Sequence, residues 1–161
     1  MGLEQAVLPI LEKGALTAGE FRTPDDFVSP FRINVPEGWT VDSINSLQVK
    51  LLPPGADNRW VYVQRVPGTI ADFLKPYEDG GSTITDPIST EVAGTEATYV
   101  QVTTEDQNTA LLSVDWTHNW YFVDVDNTRL LIAIEASNAG FDEFSAEAVA
   151  VIESIEWVSA G

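Results

Sequence analysis

The chain has 161 residues, 44% of them hydrophobic and 10% aromatic, which is enough apolar side chain for one folded domain with a sizeable core. Its 25 acidic residues against 8 basic ones give a formal net charge of −17, and the lysines and arginines stand singly from Lys13 to Arg129, which argues against nucleic acid or an anionic membrane surface as a partner. Zero cysteines exclude disulfides, thiolate metal sites and a cysteine nucleophile.

No stretch reaches the roughly 18 to 20 apolar residues of a membrane span. The start, MGLEQAVLPILEKG, lacks the basic residues and apolar run of a signal peptide, so export would require a targeting segment outside these residues. Leu3, Val7, Leu8, Ile10 and Leu11 make a marginal helical pattern over residues 1–15, weakened by Pro9 and ended by Gly14. Residues 16–158 read as a sheet-and-helix core in the same single domain.

Leu16 to Thr23 reads as a strand. In Phe31 to Val35 the apolar Phe31, Ile33 and Val35 alternate with Arg32 and Asn34, as a half-buried strand requires. Pro36-Glu37-Gly38 suits a type I turn that reverses the chain and sets Trp39 beside the strand it follows, as a plug over the apolar face. Strands are expected at Leu47 to Leu52 and Trp60 to Val66, joined by the loop Pro53 to Asn58. Thr69 is a candidate N-cap for a short helix from Ile70 to Tyr77, stopped by Glu78-Asp79-Gly80-Gly81.

The second half predicts strands at Ile88 to Val92, Thr95 to Thr104, Leu111 to Asp124 and Thr128 to Ala136. Their separators, Ala93-Gly94, Glu105 to Asn108 and Asp126-Asn127, are turn chemistry for an antiparallel meander. Phe141, Phe144, Ala148, Val151, Ile152 and Ile155 then recur at helical spacing, predicting a C-terminal helix across the sheet. The expected fold is α+β: an antiparallel sheet of about seven to eight strands with an inserted short helix and a C-terminal helix packed on it.

Ala18-Gly19, Phe21, Pro30-Phe31, Pro36 to Trp39, Gly94, Phe144 and Val151 to Trp157 follow a pattern that resembles small extracytoplasmic bacterial domains of the PsbP and LpqN-type lipoprotein folds. The resemblance spans most of the chain from residue 16 and implies an antiparallel sheet flanked by helices in an exported bacterial protein. It supplies no catalytic residue.

Chemistry-bearing residues are few. His118 is the sole histidine, and Asp115, three residues before it on a strand, points to the other face, so the two make a poor dyad without a bulge. A lone exposed histidine on a polar strand face is the simpler account of His118. Asp124 and Asp126 have the alternating oxygens of a calcium loop but lack its glycine and distal glutamate, and a strand-joining turn accounts for them, so neither a metal nor a cofactor is expected. Trp60 and Tyr62 share one parity, and Trp116, His118 and Trp120 another. If both sets lie on one side of the sheet, they line an apolar cleft for a small molecule; the alternative is a closed core under a helix.

Three functions fit: a non-enzymatic extracytoplasmic binding or accessory domain taking a small apolar ligand or a protein partner, a cofactor-independent enzyme using His118 or Asp115 as acid or base, and an interaction module without a pocket. The charge makes one prediction independent of these. Screening of 17 excess negative charges should raise the melting temperature from low to moderate sodium chloride, with calcium no better than magnesium at equal ionic strength. A flat or falling melting temperature would show that surface repulsion is not a significant term.

Overall fold

Alternation of apolar and polar side chains writes strands into most of this chain, and burying one face of each strand gathers them into sheets. The computed structural model describes residues 8–55, 58–106, 114–137 and 140–158. In chain order these form β1 (Gly14–Ala15), β2 (Gly19–Arg22), β3 (Phe31–Val35), β4 (Thr40–Ile44), β5 (Gln48–Leu52), β6 (Arg59–Arg65), α1 (Ile70–Asp79), β7 (Thr83–Ile84), β8 (Ile88–Val92), β9 (Thr95–Asp106), β10 (Val114–Val125), β11 (Thr128–Ser137), α2 (Phe141–Glu153) and β12 (Glu156–Trp157). The large sheet has nine strands in the order β1-β4-β5-β6-β11-β10-β9, with β7 and β8 both pairing with β9. The order β12-β3-β2 makes a second, three-stranded sheet. The fold is α+β, with antiparallel strand pairs, a short inserted helix and a C-terminal helix.

Two hairpin turns show how local chemistry fixes register. Asp126 and Asn127 take φ of 49° and 65° between Val125 and Thr128, and Ala93 and Gly94 take 53° and 75° between Val92 and Thr95. Two consecutive residues of positive φ match the right-handed twist of the strands they join. The oxygens considered for calcium are thus a hairpin tip, and Asp124 accepts a hydrogen bond from Arg129 Nε at 3.2 Å.

The central strands are buried on both faces. On one side Val61, Val63, Leu130, Ile132 and Ile134 join the larger core with Phe144, Ala148, Val151 and Ile152 of α2 and with Phe31, Ile33 and Val35 of the small sheet. On the other, Val100, Val102, Trp120, Phe122, Leu131 and Ala133 pack under Phe73, Leu74 and Tyr77 of α1. That helix begins where Thr69 Oγ1 accepts the Asp72 backbone N–H at 3.0 Å, as its sequence indicates. It runs through Pro76 to Asp79, past the stop expected at Glu78.

Several expectations need correction. Leu8 to Lys13 form no helix, because Pro9 and Leu11 hydrogen-bond across to Arg22 and Ile10 bridges the same residue; residues 1–7 of the expected helix lie outside the described residues. Of the strand expected over Leu16 to Thr23 only Gly19–Arg22 forms, as β2 of the small sheet; β1, which was not anticipated, lies before it at Gly14–Ala15 and joins the large sheet. The short elements β4, β7 and β12 were not anticipated: each has five residues or fewer, and β7 and β12 gain their hydrogen bonds only by pairing with the longer β9 and β3. Residues 111–113 of one expected strand, Gln107-Asn108 of one turn and Ala56-Asp57 of one loop lie outside the described residues.

The Pro36-Glu37-Gly38 turn does not fold Trp39 back onto β3; it carries the chain from the small sheet into β4 of the large one. Gly38 makes this possible with φ of 88°, and a side chain there would meet Pro54 Cγ at 2.8 Å. Trp39 arrives fully buried, stacked on Phe144 of α2 at 6.1 Å between ring centroids, with its indole N–H donated to Glu147 Oε1 at 3.1 Å. It therefore seals the junction of both sheets with the helix. Trp39→Ala should cost about 3–5 kcal/mol in urea unfolding, the range for emptying a large aromatic site. Near-wild-type stability would mean that neighbouring side chains close the gap and that no plug is needed.

Candidate functional site

From Leu130 to Ala136, β11 carries apolar residues on both faces with one interruption, Glu135. A carboxylate in such a strand must be met by donors, because an unpaired buried charge is strongly unfavourable. Antiparallel register supplies them. Glu135 lies opposite Trp60 on β6 and opposite His118 on β10, while Ala133, two residues earlier on the same face, lies between Tyr62 and Trp120. The small Ala133 leaves room for two large rings to reach along the strand.

Four side chains converge on the carboxylate. His118 Nδ1 is 2.6 Å from Oε2, which also accepts the Trp120 indole N–H at 2.8 Å and the Tyr62 hydroxyl at 3.1 Å. Oε1 accepts the Trp60 indole N–H at 2.8 Å. On its far side, His118 Nε2 is 3.3 Å from Thr104 Oγ1 of β9. With Glu135 ionised, His118 donates to it from Nδ1, and Nε2 lies within hydrogen-bonding reach of the threonine hydroxyl.

Burial by itself would push the Glu135 carboxyl up. The hydrogen bond and charge of His118, with the indole donors of Trp120 and Trp60, outweigh it and hold the carboxyl below its ordinary value of 4.5. The Tyr62 hydroxyl is driven far above its ordinary value, first by burial and then by the Glu135 charge, so it remains a donor. Tyr77 is also raised, again by burial and then by Glu135.

The helix covers part of this face. Phe73 meets Trp120 and Phe122 edge-on at 5.1 and 5.7 Å, and Tyr77 meets Trp120 edge-on at 4.8 Å and lies 6.3 Å from His118. Trp120 is consequently buried outright. Towards the other end of the face Trp60 and Trp116 are both half-buried, their ring centroids 5.0 Å apart and planes inclined by 36°. They form a shelf beside the carboxylate. Lys50 Nζ stands 4.0 Å from the Trp60 ring centroid.

The sheet therefore brings Trp60, Tyr62, His118 and Trp120 onto one carboxylate, and Trp116 joins them through Trp60. Asp115 is on the opposite face of β10 from His118, as strand parity dictates. His118 is not the lone exposed residue allowed for above: its side chain is 12% exposed and paired with Glu135. Sequence reasoning missed Glu135, and with it Thr104, Tyr77 and Lys50. The available signal was a single acid in an otherwise apolar central strand, which must have donors on the strands beside it.

No family model matches the chain, and no curated protein matches it. Solved structures do. A Bacteroides thetaiotaomicron protein superposes over 91% of this chain with a TM-score of 0.60 at 14% identity, and this chain spans only 50% of that one. Cyanobacterial PsbP (CyanoP) from Synechocystis superposes over 89% of this chain and 95% of its own, with a TM-score of 0.53 at 13% identity. The fold is PsbP-like. Among the described residues no helix is long and apolar enough to cross a membrane.

Glu135 makes a pH prediction with a definite sign. Its folded-state pKa is lowered, so its contribution to stability is fully present above about pH 4.5 and is lost as pH falls through the lowered value. Glu135→Gln should lose about 3–5 kcal/mol at neutral pH, as expected when one partner of a buried pair is removed. In urea unfolding from pH 7 to pH 3, the gap between wild type and variant should narrow below pH 4.5. A gap that stays constant would mean that Glu135 is already protonated in the native protein.

Proposed function

We propose that this is a non-enzymatic binding or accessory domain of an extracytoplasmic protein, whose Trp60–Trp116 shelf receives a small apolar ligand or an apolar segment of a protein partner. One observation carries the reading: two half-buried indoles lie 5.0 Å apart, and one of them is locked in orientation by a hydrogen bond to a buried carboxylate. A ring held in place before binding loses little freedom when a ligand arrives, which favours affinity. The PsbP-like fold is compatible with an accessory role. Glu135 is engaged through both oxygens, which suits a framework group better than a proton carrier.

A second reading has one specific observation in its favour. Thr104, His118 and Glu135 form a hydrogen-bonded chain, with separations of 3.3 and 2.6 Å, in the order hydroxyl, imidazole, carboxylate. That is the order of a base-activated nucleophile. The binding reading is preferred because the shelf requires no further group to complete it.

The test uses the neutral apolar fluorophore N-phenyl-1-naphthylamine, which a negatively charged protein does not repel. Its emission should rise on titration into the folded protein, and Trp116→Ala should weaken the response about tenfold, the effect of losing one well-packed aromatic contact. Unaltered enhancement in Trp116→Ala, or none in the wild type, would overturn the shelf as a binding surface. Release of nitrophenol from short nitrophenyl esters that is abolished by Thr104→Val would favour the enzyme instead.

A further inference from the structure

The outer side of the shelf already holds a ligand-like group. The Lys50 ammonium stands 4.0 Å from the Trp60 centroid, and its nearest carboxylate, Asp42 Oδ2, is 3.8 Å away. An aromatic face with a carboxylate beside it is the arrangement that recognises alkylammonium ions, because the ring quadrupole and the anion attract the same charge. Here the chain's own lysine fills it.

We infer that the Trp60–Trp116 shelf with Asp42 is a recognition site for the alkylammonium group of a small ligand, which displaces Lys50 on binding. The inference rests on the shelf being a binding surface and names the chemistry it selects. Three features carry it. The Trp60 ring is oriented by its N–H bond to Glu135 Oε1 at 2.8 Å, so its face stays presented whatever lies on it. Lys50 is weakly retained: its side chain is 26% exposed, that of Asp42 is 51% exposed, and an ion pair of 3.8 Å between such groups contributes little. A net charge of −17 draws cations towards the surface and concentrates them there.

Exchange of one ammonium for another conserves charge at the ring, so it costs little desolvation. A ligand that adds methyl groups to the cation gains apolar contact with the Trp60 face beyond what the slender lysine terminus makes. The departing lysine regains full hydration and its side-chain freedom. Lys50 thus sets a threshold, admitting cations that cover more of the Trp60 face than a lysine terminus does and excluding simple ones.

The experiment titrates choline chloride into the full chain at constant ionic strength, following tryptophan emission, beside 3,3-dimethylbutan-1-ol, which has the same shape without the charge. Choline should saturate, and the neutral isostere should bind at least about threefold more weakly, as the loss of a cation–π contact requires. Lys50→Met should tighten choline about tenfold by removing an internal competitor held at high effective concentration. Trp60→Leu should abolish the response while its far-ultraviolet circular dichroism stays native. Equal binding of choline and its isostere, or no tightening in Lys50→Met, would overturn the ammonium site while leaving an apolar shelf intact. If neither choline nor N-phenyl-1-naphthylamine binds a natively folded protein, the shelf itself falls.

Discussion

The arrangement of one sheet face depends on a single buried carboxylate. Glu135 sits on a central strand where an unpaired charge could not persist, and its solvation is replaced by four donors from the two flanking strands. Meeting that requirement constrains β6, β11 and β10 at once. A slip of one residue in either pairing would turn the donors to the opposite face, towards the larger apolar core, and leave the carboxylate without partners. Hydrophobic burial alone rewards many neighbouring arrangements; this cluster rewards one register.

The same carboxylate divides the face into two parts. Trp120 is drawn under α1, where Phe73 and Tyr77 close over it, and its indole satisfies Oε2 from inside the core. Trp60 satisfies Oε1 from the other side and stays half-buried against Trp116. Two tryptophans with the same hydrogen-bond acceptor thus reach different ends, one as packing and one as surface. The helix decides which, and the helix is positioned by its Thr69 cap and by the apolar faces of Phe73, Leu74 and Tyr77. A local capping interaction therefore has a consequence for which indole a ligand could meet.

Much of the fold was legible because its rules are local. Val125 to Thr128 and Val92 to Thr95 announce tight hairpins by their turn residues, Phe31 to Val35 alternates cleanly, and Phe141 to Ile152 repeats at helical spacing. What was not legible is non-local. β4 has one buried residue, Val41, and contains a bulge between Val41 and Ser43, so its period-two signal is broken where it would be read. The direction taken after Gly38 depends on Pro54, distant in sequence, packing against a glycine with no side chain. In the site, parity placed Trp60, Tyr62, Trp116, His118 and Trp120 in two sets, but only the order β6-β11-β10 brings the sets together. The strand between them carries the residue that joins them, and its sequence attracted no notice because it looked like ordinary core.

The distribution of charge bears on what can approach the shelf. Arg22, Lys75 and Arg129 are paired with Asp25, Asp79 and Asp124, so these cations are answered locally, while the acidic excess remains spread over the surface. Glu135 is withdrawn from that surface, since it is buried and hydrogen-bonded at short range by His118, Trp60, Tyr62 and Trp120. The protein thus separates two uses of carboxylate. The buried one organises rings, with an attraction that salt scarcely screens, and the exposed ones set a long-range potential that salt does screen. A ligand drawn by the second meets a surface shaped by the first. Changing ionic strength therefore alters how fast a cation arrives at Trp60 far more than how the indole is presented to it.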